Sequence, residues 1–390
     1  MAKRGQGARR GAGPAADAPL IAVAANDAWN IANHRAPLLR ALAEAGFRVV
    51  AMAPDGPFAE QVRRSGVPFE PIPLEARGVS AIRDFRTFRA YRRTLRRLRP
   101  AAFLGFTAKP NIYGSLAAQS LGIPVLNNIS GLGATFINGG PLRLVVSTLY
   151  RAALRRSAIV FFQNPDDRAE FERGGLVRPR QARLLPGSGV DLDHFKPGLR
   201  KRNPGPMTFL LPARMLWAKG VAEFAEAARQ LTLEGLDARF QLLGPIEPAS
   251  GLAVPEPDIQ RWCADGILEY LGSTKDVREA FAGADCIVLP SYREGVPRVL
   301  LEGAAMGIPA VATDVPGCRH AVEAGRTGIL CDARSAASLA DAMRTMAKLH
   351  STERLAMGKA ARARMEARFS ADFVHRSYLD ELAKLGIAGG

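Results

Sequence analysis

The chain has 390 residues, more than a single hydrophobic core usually organises, and 47% of them are hydrophobic, enough to fill two. Its 53 Lys and Arg against 37 Asp and Glu leave a net charge of +16, which calls for an anionic partner or surface. The four cysteines (Cys263, Cys286, Cys318 and Cys331) show no C-x-x-C spacing and no run nears the roughly 20 apolar residues of a membrane span. A disulfide scaffold and a transmembrane protein are thereby disfavoured, and a reduced, cytoplasmic setting is expected.

Residues 1–18, rich in Gly, Ala and Arg without an apolar signal core, read as a disordered basic tail. Short apolar runs then follow at Leu20–Ala25, Phe47–Met52, Ala102–Phe106, Pro124–Asn128, Ala158–Phe162 and Ala182–Leu185, with helical patterns such as Leu38-Leu39-Leu42 between them. This βαβα series predicts a first, mostly parallel sheet over residues 19–195. Two loops at carboxyl ends of its strands carry candidate binding groups. Lys109 lies in Gly105-Phe106-Thr107-Ala108-Lys109-Pro110-Asn111, and Asn128, Ser130 and Gly131 lie in Asn127-Asn128-Ile129-Ser130-Gly131-Leu132-Gly133, a turn able to cradle a phosphate or simply to reverse the chain.

The segment Ala81 to Pro100 concentrates charge: Arg83, Arg86, Arg89, Arg92, Arg93, Arg96, Arg97 and Arg99 interleave with Ile82, Phe85, Phe88, Tyr91, Leu95 and Leu98 at steps of three and four. The pattern is that of a basic amphipathic helix, whose apolar stripe should pack on the core while its arginines face water or an anionic membrane. Leu142 to Arg156 is a second such stretch.

Residues 196–206 (KPGLRKRNPGP) have the proline, glycine and charge of a linker. A second series runs through Thr208–Ala213, Ala238–Leu243, Gly266–Leu271, Cys286–Leu289, Pro309–Ala312 and Gly328–Cys331, predicting a second sheet domain over 207–368. Its first strand runs into Arg214 and Lys219, two cations suited to diphosphate oxygens, one as a planar fork and the other as a point charge. Cys286–Leu289 runs into Ser291-Tyr292-Arg293-Glu294-Gly295-Val296-Pro297-Arg298-Val299-Leu300-Leu301-Glu302. Parallel strands would put both loops at one carboxyl edge, where ligands of doubly wound sheets bind. Pro297 suits a first helical position and Gly307 the stop, so the amides from Arg298 to Leu300 should point out of a helix N-terminus, ready for phosphate. Glu294 and Glu302 flank that site, and carboxylates beside a phosphate make sense as acceptors of hydroxyl hydrogen bonds. Diol, diphosphate and diol is the layout of a sugar nucleotide. Phe373, Tyr378, Leu379 and Leu382 mark a last helix within 369–390.

Glu294-Gly295-Val296-Pro297 followed by Val299-Leu300-Leu301-Glu302-Gly303 and Gly307-Ile308-Pro309 resembles the E-x7-E signature of retaining family 4 glycosyltransferases of the GT-B fold. The resemblance implies two Rossmann-like, doubly wound domains facing a cleft, with the 369–390 helix crossing back to the N-terminal domain. It implies that Arg214 and Lys219 neutralise the leaving diphosphate and that Glu294 touches the donor hexose. Gly295, Val296, Pro297, Val299 and Leu300 would then line the donor site, and Glu302 would bind the ribose. The Lys109 and Asn128 segments resemble those of the subgroup acting on polyprenyl-diphosphate-linked, capsule or lipopolysaccharide acceptors, and the acceptor side is expected there. A UDP-sugar is the expected donor, with no cofactor and no metal, and the expected setting is peripheral, on the inner face of the cell membrane. Cys318-Arg319-His320 departs from the family, which often has an acidic residue in the place of His320. A GT-B sugar-nucleotide epimerase is the nearest alternative. A basic nucleic-acid-binding protein lacks any supporting RNP-like, zinc-finger or helix-turn-helix pattern, and a dehydrogenase lacks G-x-G-x-x-G after either first strand.

Overall fold

A computed structural model describes residues 15–75, 78, 80–131, 141–199, 205–247 and 251–390. Most of the expected basic tail, residues 200–204 of the expected linker and the end of the Ser130–Gly133 turn lie outside the described residues. The chain divides into two compact units, the first made of 1–162, 170–183 and 375–390, the second of 163–169 and 184–374.

The first unit is built on a seven-stranded sheet: β1 (Leu20–Ala24), β2 (Arg48–Ala53), β3 (Phe69–Pro71), β4 (Ala102–Phe106), β5 (Val125–Ile129), β6 (Ile159–Phe162) and β7 (Ala182–Leu184), in the order β3-β2-β1-β4-β5-β6-β7. Pairing from β3 through β6 is parallel. Strands β4 and β5 are buried along their whole length, as central strands of a sheet covered by helices on both faces must be. Strand β3 is not among the apolar runs named from the sequence; it ends in Pro71 and lies at the edge, where a missing ladder donor is tolerated.

The second unit holds β8 (Met207–Pro212), β9 (Ala238–Leu243), β10 (Glu269–Tyr270), β11 (Cys286–Leu289), β12 (Ala310–Thr313) and β13 (Gly328–Cys331), all parallel, in the order β10-β9-β8-β11-β12-β13. Both orders step outward from a first strand to either side, the doubly wound pattern of a GT-B protein. Helices Val221–Leu233 and Ala336–Lys348 pack Phe224, Leu231, Leu339 and Met343 on one face, while Arg298–Ala305 and Ser351–Arg368 supply Leu300, Leu301 and Met365 to the other.

The unit boundary falls earlier than residues 196–206. Val190 and Phe195 are buried with Leu300, Met365 and Phe369, and the Val190 N–H donates to the Phe369 carbonyl, so 184–195 belong to the second unit. From His375 onward the chain belongs to the first, where Tyr378 is buried against Phe106 and Phe161 with ring centroids 6.1 and 4.7 Å apart. Cys286, Cys318 and Cys331 are buried free thiols and Cys263 a half-buried one; burial pushes the Cys331 thiol up to about 12.

Candidate active site

Strand β11 pairs with β8 through Cys286↔Phe209 and Ile287↔Leu210, so the segments that follow the two strands leave the sheet side by side. Two backbone features hold them together. The Tyr292 N–H donates to the Ala218 carbonyl at 3.0 Å. Gly220, at φ +72°, passes so close to Pro290 that a Cβ would stand 2.2 Å from its carbonyl oxygen, so both space and backbone angle require glycine here. The contact brings the Lys219 ammonium onto the Glu294 carboxylate in a hydrogen-bonded ion pair whose side chains are 23% and 13% exposed. Arg214 leaves the same edge, 51% exposed, and pairs with Glu247 at 3.6 Å.

The loop carrying Glu294 is clamped from beneath by residues that sequence reasoning missed. Arg293 donates to the fully buried Asp167 at 2.5 Å. Asn164 donates both to Asp167, at 3.0 Å, and to the Gly295 carbonyl, at 2.9 Å. Thr313 at the end of β12 donates to the Ser291 carbonyl at 2.5 Å, and Gly317 (φ +82°) passes where a Cβ would meet the Gly295 carbonyl oxygen at 2.1 Å. A charged pair this deep is costly unless satisfied, and Asn164 supplies the second hydrogen bond to Asp167. Asn164-Pro165-Asp166-Asp167 reads in sequence only as a helix start, with acids in the first turn. Tyr292 completes the frame: its hydroxyl donates to Glu223 at 2.6 Å, Arg334 lies 4.7 Å over its ring, and burial, helped by Glu223, pushes the phenol up to about 12.

Beyond the loop, helix Arg298–Ala305 starts one residue later than the sequence suggests, with Pro297 as its cap (φ −75°, ψ 119°) and no side chain closing the end. The Leu300 N–H turns back to the Pro297 carbonyl at 3.1 Å and is not a free donor as expected. No side chain caps this end of the helix, and the helix dipole makes it positive. Glu302 lies on this helix, 7% exposed, and accepts from Arg298 at 2.9 Å. Burial raises its carboxyl above the ordinary range, and Arg298 only partly offsets that. Its partner was legible in principle, since positions i and i+4 meet on a helix.

In the first unit, Lys109 and Asn128 are each tied to other side chains. Lys109 donates to Asp84 at 2.7 Å, with side chains only 13% and 5% exposed. Burial works against the Asp84 carboxylate, but bonds from Lys109, the Ser80 N–H and Tyr113 outweigh it and hold the group below its usual range. Asn128 is buried, donates to the Tyr378 hydroxyl at 2.8 Å and accepts from Asn111 at 2.8 Å through its carbonyl. These two are structural ties. Ser130 and Gly131, just beyond β5, are partly exposed.

Helix Ala81–Leu98 turns Asp84, Thr87, Tyr91 and Leu95 inward. The expected apolar stripe therefore splits: Tyr91 and Leu95 enter the core, whereas Ile82 and Phe85 stand 70% and 57% exposed beside the arginines. Residues 84, 87, 91 and 95 share one face at helical spacing, and 82 and 85 fall on another. Leu144 and Val145 of helix Pro141–Leu154 are likewise exposed. Among the described residues no helix is long and apolar enough to cross a membrane.

Comparison with known proteins accords with this geometry. A family model of "Glycosyl transferases group 1" matches residues 206–348 and a "Glycosyl transferase 4-like domain" matches 31–187. The chain is 25% identical over 367 residues to a Campylobacter jejuni N,N'-diacetylbacillosaminyl-diphospho-undecaprenol α-1,3-N-acetylgalactosaminyltransferase, covering 90% of this chain and 94% of that one. It is 24% identical over 287 residues to an Escherichia coli UDP-Gal:α-D-GlcNAc-diphosphoundecaprenol α-1,3-galactosyltransferase, covering 70% and 73%. The crystal structure of a glycosyltransferase from Rickettsia africae superposes with a TM-score of 0.79 at 14% identity, over 95% of this chain and 99% of that one.

Proposed function

Because this chain belongs to the group 1, 4-like glycosyltransferases of the GT-B fold, with the two family models together spanning most of its length, we propose that it moves a hexose or N-acetylhexosamine from a UDP-sugar, with retention, to a hydroxyl of a lipid-linked or surface-glycan acceptor. The observation that carries this reading is the Lys219–Glu294 pair standing at one strand edge with an uncapped helix N-terminus and a buried Glu302 on that helix.

Lys219, Arg214 and the positive N-terminal end of helix Arg298–Ala305 together offer the positive charge a departing diphosphate needs, and charge stabilisation of that kind is often the largest catalytic term. Glu294 accepts from hydroxyls of the transferred sugar and Glu302 from the ribose diol, each exchanging a cationic partner for hydroxyl donors as donor binds. The bond from the sugar anomeric carbon to the diphosphate oxygen breaks with its electron pair going to the diphosphate. The acceptor hydroxyl bonds to that carbon on the face just vacated, and its proton passes to a leaving phosphate oxygen. Neutralisation by Lys219, Arg214 and the helix end makes a metal unnecessary in this scheme. Two similar proteins are α-1,3-transferases acting on undecaprenyl-diphosphate-linked sugars, which supports both a lipid-linked acceptor and α-retention from an α-linked UDP donor. Exposed Ile82 and Phe85 among the arginines of helix Ala81–Leu98 support a peripheral station on the anionic inner face of the cell membrane, each cation near such a surface being worth about 1 kcal/mol.

The deciding assay supplies the protein with UDP-GalNAc, UDP-Gal and UDP-Glc, with and without a short undecaprenyl-diphosphate-linked sugar, and follows UDP release and the anomeric configuration of the product. Release that depends on acceptor, with an α product, is expected. UDP release without acceptor would indicate the epimerase alternative, and a β product would overturn retention.

A further inference from the structure

A second concentration of positive charge lies in the first unit, at the amino ends of β6 and β7, the side of the sheet away from Lys109. A groove of ≈ 990 Å³ there is lined by Arg155, Arg156, Arg178, Arg180, Arg183 and Lys384, with Glu381 as its acid. That acid is spent locally. Buried Glu381 accepts from Arg183 at 3.4 Å and from Lys384 at 2.8 Å, and Arg183 also donates to the carbonyls of Arg180 and Ala182 at 2.9 and 3.1 Å. Arg155, Arg156, Arg178 and Arg180 are exposed and have no carboxylate partner among the described residues.

Their backbones are fixed although their charges are free. Buried Gln181 donates to the carbonyls of Leu154 and Arg155 at 3.3 and 3.4 Å and to that of Ser157. It thereby satisfies oxygens at the negative end of helix Pro141–Leu154 that would otherwise claim the two neighbouring arginines. The Gln181 side chain also accepts from the Arg178 N–H at 3.2 Å, and the Gln181 N–H donates to the Arg178 carbonyl at 2.9 Å, so the turn bearing Arg178 and Arg180 is tied to the same corner. Four guanidinium groups on two rigid, cross-linked turns, with the one acid neutralised, suit a multiply charged phosphate, which arginine recognises through paired N–H donors. We infer that this groove binds a di- or oligophosphate group, either free or on a lipid headgroup, independently of the transfer reaction.

The test titrates the full chain with sodium tripolyphosphate by calorimetry, in an Arg214→Ala/Lys219→Ala background that silences the diphosphate site of the second unit. One saturable site is expected. Arg155→Gln/Arg156→Gln and Arg178→Gln/Arg180→Gln should each weaken it at least tenfold and their combination abolish it, whereas Arg63→Gln/Arg64→Gln, an equal loss of charge elsewhere on the first unit, should leave it intact. Sedimentation with phosphatidylglycerol vesicles, against phosphatidylcholine, separates the sources: loss of vesicle binding in the combined variant assigns a headgroup phosphate, and unchanged vesicle binding a soluble one. Absence of a saturable site, or equal binding by the combined variant and the Arg63/Arg64 control, overturns the inference. So does tight binding of a single-stranded oligonucleotide that the same substitutions remove while tripolyphosphate fails to saturate.

Discussion

Each unit has a lysine and a carboxylate joined just beyond the carboxyl end of a parallel strand, Lys109–Asp84 in the first and Lys219–Glu294 in the second, and the two pairs differ in their surroundings. Asp84 also takes the Ser80 N–H and interacts with Tyr113, so every neighbour deepens the pair, and nothing about it invites a ligand. Lys219–Glu294 is more exposed and shares its strand edge with the N-terminus of a helix that no side chain caps and with Arg214. An ion pair at a strand edge is therefore not in itself a sign of function. What distinguishes the second is its greater exposure and the further positive charge, from Arg214 and a helix N-terminus, on the same edge.

Substitution separates the two most sharply. Lys219→Ala and Glu294→Ala are expected to lower kcat by about two to three orders of magnitude, the scale of removing one charge-stabilising group, with little change in melting temperature; normal turnover in either would remove that residue from the mechanism. Lys109→Met should do the opposite, costing about 3–5 kcal/mol in urea unfolding because it strands a buried carboxylate, while the folded fraction keeps its turnover. This loss depends on pH in a defined direction. Asp84 is held below its ordinary value in the folded state, so the stabilisation is present at neutral pH and disappears as pH falls below about 4. A Lys109→Met defect that persists undiminished in acid would refute the pairing as its cause.

Glu302 carries the reverse sign. Its folded-state value is raised by burial, so its contribution to stability is most favourable below about pH 4 and is lost as pH rises through the raised value. Glu302→Gln is expected to stabilise the protein by about 1 kcal/mol at pH 8 and not at pH 4, while weakening UDP binding about tenfold. Unchanged UDP affinity would show that Glu302 serves only Arg298. The smallest effect concerns the surface of the first unit: Ile82→Ser with Phe85→Ser should shift stability by no more than about 0.5 kcal/mol yet reduce binding to phosphatidylglycerol vesicles. Equal binding would take helix Ala81–Leu98 out of the membrane reading.

Much of the site was legible because it is local. Cys286–Leu289 followed by a polar loop, a proline and an apolar helix fixes a strand, a ligand edge and a helix N-terminus within a few residues, and Glu294 and Glu302 take their places from that spacing alone. The clamp under the loop was not legible, since Asn164 and Asp167 lie more than a hundred residues from the Arg293 and Gly295 they hold. The partner of Lys109 was hidden for the same reason: a lysine after a strand gives no sign that Asp84, on another helix, pairs with it.

Sequence by itself determined the two parallel-sheet units, the order of strand and helix, and the residue types gathered at the edge of the second sheet, because period, turn chemistry and spacing are properties of neighbouring residues. Only the tertiary structure decided which charges remain open to a ligand and which are consumed within the fold, because that depends on partners brought together from distant parts of the chain and on the water their burial excludes.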